Sequence, residues 1–193
     1  MKKVPALCAL LLTLTSADAA LVEVSLERAK AYAENSIDDN RLPSKAIDGS
    51  GLTSDGSGGW YHDRVRQNAW HGKKTDDSHS FARWYAVDFG EKKMLDCFRI
   101  WNSMELPGRG VKDVEVFVSN AADIDFAALD FADGRWTSAG RKALKASPTK
   151  QTAENYAGEL VNLDETQNAR VVAFRIESVQ ATENANNQGC DYG

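Results

Sequence analysis

The chain has 193 residues, 42% of them hydrophobic and 26% charged, with 28 acidic against 23 basic side chains. An acidic balance argues against nucleic acid as a partner, and no run approaches the roughly 18 apolar residues of a membrane-spanning helix. A chain of this length suits one domain with a sizeable core.

Residues 1–19 have the three parts of a secretory signal peptide: the charged start MKK, an apolar run over 4–14 and the small-residue stretch SADAA. Ala17 and Ala19 fit cleavage after Ala19. Cys8 lies inside the apolar run rather than at its end, which argues against a lipid-anchored cysteine. The expected product is residues 20–193, exported to an extracellular or periplasmic location. It carries 21 basic and 27 acidic side chains once Lys2, Lys3 and Asp18 are removed. Cys97 and Cys190 remain, and in an oxidising compartment they form either one bridge or two unpaired thiols.

Residues 22–33, VEVSLERAKAYA, read as strand in their first half and helix in their second. From Asn35 to Gly59 the chain is dense in Asn, Asp, Ser and Gly, which predicts a long loop. Then come short runs rich in Val, Ile, Phe and Trp: WYAVDFG, MLDCFRIWN, VKDVEVFVS, RWTSAG, GELVNL and ARVVAFRIESV. Val114, Val116 and Val118 alternate with Glu115 and Phe117, while Phe174 and Ile176 alternate with Arg175 and Glu177. Alternation at period two marks strands with one buried face. Only residues 121–131, AADIDFAALDF, read as a helix. The expected fold is all-β, an antiparallel β-sandwich with long loops at its ends.

The ordered set KAIDGSGL (45–52), Trp70, WYAVDFG (84–90), FRIWN (98–102), RGVKDVEVFVS (109–119), DGRW (133–136) and ARVVAFRI (169–176) resembles the discoidin domain. That family, also called the coagulation factor type C domain, is a jelly-roll sandwich of the galactose-binding-like group; bacterial secreted members are the nearest in kind. The resemblance implies that Trp84, Val87 and Phe89 lie on one core strand, that Gly90 turns the chain, and that Phe98 and Ile100 return along the next. It makes Trp70, Trp84 and Trp136 core residues. The family's usual last strand would follow Gly193, so the sandwich is expected to lack it or the chain to be a fragment.

Family members that bind sugars hold calcium in the loop matched here by AIDGSG. The resemblance therefore implies Asp48 as a ligand, helped by the carbonyl of Lys45 and by oxygens of Ser50 or Thr53. The alternative is that Asp48 caps its own turn through backbone N–H groups. Trp60, Tyr61 and His62 are the best local set for a sugar, an aromatic ring stacking on pyranose C–H groups while polar side chains bond hydroxyls; a packed loop plug is the alternative. Arg109 either projects at the same end of the sandwich or pairs with an internal acid. The amides of residues 181–189 suit hydroxyl recognition or a plain solvated loop.

His62, His71 and His79 are spaced by nine and eight residues, which matches no zinc signature and reads as exposed loop. No nucleophile elbow, His-Glu-x-x-His or phosphate loop is present, and the adjacent Asp76 and Asp77 are poorly placed to flank a glycosidic bond. The resulting expectation is a secreted, monomeric, non-catalytic module that binds carbohydrate on polysaccharides or cell surfaces, with calcium as a structural ion. Two alternatives stand beside it: an adhesion module for protein or membrane surfaces, with Leu52 or Leu106 as the apolar tip, and the targeting module of a larger carbohydrate-active enzyme.

Overall fold

The computed structural model describes residues 22–57, 59–63, 65–73, 82–103, 107–148 and 156–180, with the backbone alone at 11–12, 66 and 190–192. Most of the expected signal peptide, His79, Leu106 and the amide-rich stretch 181–189 lie outside the described residues.

Eleven strands are described: β1 (Leu11–Leu12), β2 (Val22–Glu23), β3 (Lys30–Ala33), β4 (Leu52–Ser54), β5 (Trp60–His62), β6 (Trp70–Gly72), β7 (Trp84–Ile100), β8 (Val111–Ser119), β9 (Thr137–Ala143), β10 (Glu159–Val179) and β11 (Cys190–Tyr192). Five form one sheet in the order β3-β7-β10-β8-β9, and the others pair as β1-β2, β11-β6 and β4-β5. Every pairing is antiparallel. The ambiguous segment 22–33 resolves as β2 and β3 joined by a turn.

The expected hairpin turn at Gly90 is replaced by a bulge. The chain runs through Gly90 as one strand of 17 residues, and both halves of β7 pair with the same partner, β10, itself 21 residues long. Between the pairs Asp88↔Val171 and Lys93↔Ala169, residues 89–92 of β7 face Arg170 alone. Gly90 has φ +75°, a conformation that favours glycine, and its N–H donates to Asp88 Oδ1 at 2.7 Å. Arg170 clamps the bulge, donating through Nε and Nη2 to the two Asp88 oxygens at 3.0 and 3.1 Å. A second irregularity puts residues 163–166 of β10 opposite Asp96. Bulges bend strands, and beyond them the β7–β10 ribbon packs back on its own first half. Phe98 meets Phe174 edge-on at 4.9 Å between ring centres.

Between these layers lies the main core, including Val24, Leu26, Trp70, Tyr85, Val87, Phe89, Leu95, Phe98, Val116, Val161 and Ile176. Each such side chain contributes roughly 1.5–3 kcal/mol on burial. Val114, Val116 and Val118 face this core as alternation predicts.

The opposite face is covered as well. Phe117, Trp136, Ala86, Val171 and Ala173 form a second cluster, fringed by Trp84, Ile124, Phe126 and Phe131. Its cover is the segment 121–136, so the helix expected over 121–131 is corrected to one 3-10 turn, Phe126–Ala128. Three aspartates draw the backbone out of a helical ladder: Asp125 accepts from the Ala127 N–H at 2.9 Å, Asp130 from Ala132 at 2.8 Å and Asp133 from Arg135 at 3.0 Å. The segment's rings then reach the sheet, Phe126 stacking on Tyr32 at 3.8 Å and Phe131 on Phe117 at 4.6 Å. Trp70 and Trp136 are core as expected, whereas Trp84 is only partly buried at the rim of the second cluster.

Cys97 lies on β7 with 1% of its surface exposed, and burial, helped by the neighbouring Asp96 charge, pushes its thiol above the ordinary range. The side chain of Cys190 lies outside the described residues, so the expected bridge does too.

Candidate functional site

Residues 34–73 place the candidate side chains. Within the stretch expected to be one long loop, the turn Pro43–Ala46 packs on β3 and β6 and leads through Ile47–Gly51 into the β4–β5 hairpin. The hairpin register sets Leu52 opposite His62, Thr53 opposite Tyr61 and Ser54 opposite Trp60. Side chains alternate across a strand, so Trp60 and His62 share one face with Leu52 and Ser54, while Tyr61 and Thr53 share the other. The predicted trio is thereby split. Trp60 and Tyr61 are half-exposed, whereas the His62 side chain is only 7% exposed.

Two aspartates hold the hairpin: Asp55, which the sequence reading did not single out, and Asp63, which stood there only beside the histidines as a weak metal candidate. At its tip Asp55 Oδ1 accepts from the N–H groups of Ser57 and Gly59, both at 2.8 Å, and the Tyr61 hydroxyl reaches Asp55 Oδ2 at 3.4 Å. These bonds hold the Asp55 carboxyl below its ordinary range. At the base Asp63 accepts from the Val65 N–H at 2.8 Å and from Asn68 Nδ2 at 2.6 Å, and its own N–H donates to Gly51 O at 2.7 Å. Gly51, at φ +77°, has no room for a Cβ between Asp63, Asn68 and His62. The sequence signal was present in DGSGG, an Asx-turn composition.

Burial pushes the His62 imidazole below its ordinary 6.5, opposed by the Asp63 carboxylate 3.5 Å away. His62 therefore carries no charge at neutral pH. Its linkage has a definite sign: the unfolded chain takes up the proton first, so this contribution to stability is present above pH 6.5 and is lost as pH falls through the lower folded value. The difference in thermal midpoint between wild type and His62→Gln should be constant above about pH 6.5 and shift against wild type below it. Curves that stay parallel across that range contradict the assignment.

His62 and His71 are not exposed loop residues, which corrects the sequence reading for the two histidines that are described. His71 is fully buried on β6, and Arg41 Nη1 lies 3.1 Å from its Nδ1. A guanidinium only donates, so Nδ1 is the acceptor and the ring proton belongs on Nε2. Asp38 pairs with Arg41 from the other side. Sequence spacing could not show this, because Arg41 and His71 are 30 residues apart.

Asp48 caps its own turn, the alternative to the calcium reading: Oδ1 accepts the Ser50 N–H at 2.8 Å. Its Oδ2 faces the Lys45 ammonium at 3.6 Å, and that ammonium also donates to Ser50 Oγ at 3.0 Å. Thr53 stands in β4 opposite Tyr61. Calcium takes six to eight oxygen ligands. Here the two side-chain oxygens best placed to supply them converge on a fixed positive charge, so these residues do not fit the ion. Among the described residues no group of three His, Cys, Asp or Glu side chains could hold a metal.

Arg109 sits on the 3-10 turn Pro107–Arg109, half-buried, and its Nη1 is enclosed without a hydrogen-bond partner among the described residues. That turn lies against β11, which pairs with β6, which in turn packs on Pro43–Ala46. Leu52, the described candidate for an apolar tip, is half-buried in β4. An apolar cavity of about 100 Å³ lies elsewhere, between the layers and lined by residues such as Trp70, Phe89, Phe98, Val114 and Phe174. Its walls offer almost no polar partner, so it belongs to the core rather than to a site for a hydroxylated ligand.

No protein-family model matches the chain, and no curated protein sequence matches it. Solved structures do. CpGH89CBM32-5 from Clostridium perfringens, solved in complex with GalNAc-β-1,3-galactose, superposes with a TM-score of 0.51 at 12% identity, covering 85% of this chain and 88% of that one. An F5/8 type C domain from Bacteroides fragilis superposes with a TM-score of 0.50 at 9% identity, covering 88% and 89%. Chitosan-binding module 1 of a chitosanase/glucanase from Paenibacillus sp. IK-5 gives 0.49 at 14% identity, covering 86% and 90%. The chain therefore has the galactose-binding-like discoidin fold.

Proposed function

We propose that the protein is an exported, non-catalytic carbohydrate-binding module whose contact face is the Trp60 and His62 side of the β4–β5 hairpin. The observation that carries the reading is the hairpin itself. A half-exposed indole and an uncharged imidazole share one face of a short ribbon that Asp55 and Asp63 brace at both ends. An indole offers a flat apolar surface for the C–H face of a sugar ring, and the enclosed imidazole of His62 backs the same face of the ribbon. Bracing matters because a contact face that is already ordered loses little entropy on binding.

Arg109 supplies the second element of the reading. A buried guanidinium nitrogen with no partner among the described residues is costly, and a ligand oxygen would satisfy it. The structural likeness to a module solved with GalNAc-β-1,3-galactose adds support at the level of fold. Export rests on the composition of residues 1–19. Binding rather than conversion rests on the hairpin's two carboxylates, Asp55 and Asp63, whose oxygens are taken up by the backbone N–H groups of Ser57, Gly59 and Val65 and by Asn68 Nδ2.

The test is a glycan array probed with residues 20–193, with GalNAc-β-1,3-galactose among the probes, run with calcium and again with EDTA. Binding to one class of sugar, unchanged by EDTA, is the expected result. A blank array from protein with a cooperative unfolding transition would overturn the reading and leave a protein or membrane surface as the partner.

A further inference from the structure

We infer that Lys45 is this chain's built-in replacement for a loop cation, so that the loop bearing Asp48 is ordered without metal. Pro43 starts a 3-10 turn whose last residues, Lys45 and Ala46, point the chain into Ile47–Gly51. The turn is closed by backbone bonds from the Ile47 and Asp48 N–H groups to Ser44 O, at 3.0 and 2.9 Å. Folding the chain back in this way brings the Lys45 side chain over the loop it precedes. Its ammonium donates to Ser50 Oγ at 3.0 Å and lies 3.6 Å from Asp48 Oδ2, while Asp48 Oδ1 is taken by the Ser50 N–H at 2.8 Å. The Asp48 carboxylate, the Lys45 ammonium and Ser50, through its N–H on one side and its hydroxyl on the other, thus close a ring within six residues.

A metal ion in this position would need several more oxygens at short range, and it would stand beside a fixed positive charge of the same sign. A tethered ammonium meets the same electrostatic need with three donors. It is always present, because it is covalently part of the loop, and its effect does not vary with the calcium concentration outside the cell. The β4–β5 hairpin that follows therefore keeps its geometry in chelator, whatever ligand it carries. The inference concerns the loop and not the sugar reading, and unfolding measurements report on it whether or not any glycan binds.

The decisive experiment compares thermal midpoints of the wild-type chain, Lys45→Met and Lys45→Arg in EDTA and in millimolar calcium, alongside calorimetric titration of each with calcium. The wild-type midpoint should be the same in both buffers, with no calcium binding in the titration. Lys45→Met keeps most of the stem but removes the charge; its midpoint should fall by a few degrees in EDTA and recover in calcium. Lys45→Arg should remain indifferent to calcium. Saturable calcium binding by the wild-type chain, or a wild-type midpoint that rises with calcium, would overturn the inference. So would a Lys45→Met protein as stable as wild type and blind to calcium. Were Lys45→Met not to fold, the wild-type titration decides alone, absence of binding supporting the inference and binding refuting it.

Discussion

Replacing Asn102 by leucine should lower stability by about 4 kcal/mol and the thermal midpoint by roughly 10 °C. Asn102 is 1% exposed, two residues after the end of β7, and its amide uses both donors and its acceptor on backbone. Nδ2 donates to Val111 O at 2.7 Å and to Lys145 O at 3.0 Å, while Oδ1 accepts from the N–H groups of Val111 and Ser103 at 2.9 and 3.1 Å. One side chain therefore ties the end of β7 to the start of β8 and to the segment after β9. Leucine has similar bulk but no polar atoms. Val111 O keeps a second donor in Gln180 Nε2 at 2.8 Å, yet three other backbone groups lose this partner, each at about 1–3 kcal/mol where no water reaches them. Gly110 packs so closely on the amide that a Cβ there would strike Asn102 Oδ1, so Gly110→Ala should act in the same direction. Asn102→Asp separates the roles, since a carboxylate still accepts from the two N–H groups but faces two carbonyls with no proton to give. Denaturant unfolding measures all three; a loss below about 1 kcal/mol for Asn102→Leu would show that water or the neighbouring loops satisfy these groups.

The second large effect concerns binding and follows from the proposed function. Trp60→Ala should weaken sugar affinity by about 30- to 150-fold, the equivalent of roughly 2–3 kcal/mol for a central aromatic contact. The fold should remain intact. Trp60 is half-exposed on a three-residue strand, and the bonds that hold the hairpin run through Asp55, Asp63 and the backbone rather than through the indole. Thermal midpoints of mutant and wild type should therefore agree within about 2 °C, as for a partly exposed side chain outside the core. Normal sugar affinity in Trp60→Ala would remove the indole from the site. A matched loss of stability would instead identify the ring as a plug that packs the hairpin. Tyr61→Ala makes a useful contrast: Tyr61 projects from the other face of β5, so its loss should change affinity much less.

Much of the architecture could be read from local pattern. Alternation in VKDVEVFVS placed Val114, Val116 and Val118 on one face, and they do face the main core. Alternation in AFRIESV placed Arg175 opposite Phe174, and Arg175 pairs on the outer face with Glu115 and Glu177. Period-two patterning is a property of the strand itself, so it needs no knowledge of the partner. The Asp, Ser and Gly density before Trp60 likewise announced turns, because Asx and glycine chemistry acts within two or three residues. At the candidate site, the composition gave the aromatic, imidazole and carboxylate groups but not their arrangement. Cross-strand register split Trp60 and His62 from Tyr61, and a lysine three residues upstream of Asp48 decided what faces its carboxylate.

By itself the sequence determined the all-β class, the inward face of each main strand and the turn chemistry of the loops, all of them set by neighbours a few residues apart. Tertiary structure decided the rest. Gly90 became a bulge rather than a hairpin because Arg170, 82 residues away from Asp88, clamps that carboxylate across the ribbon. Residues 121–131 gave up helix because the sheet's second apolar face, built from strands distant in sequence, takes up Phe126 and Phe131. His71 was buried by Arg41 and the core rather than by anything beside it in the chain. Burial and long-range pairing outweigh local preferences worth only tenths of a kcal/mol per residue, and a pattern of neighbours carries no information about which distant segment supplies the partner.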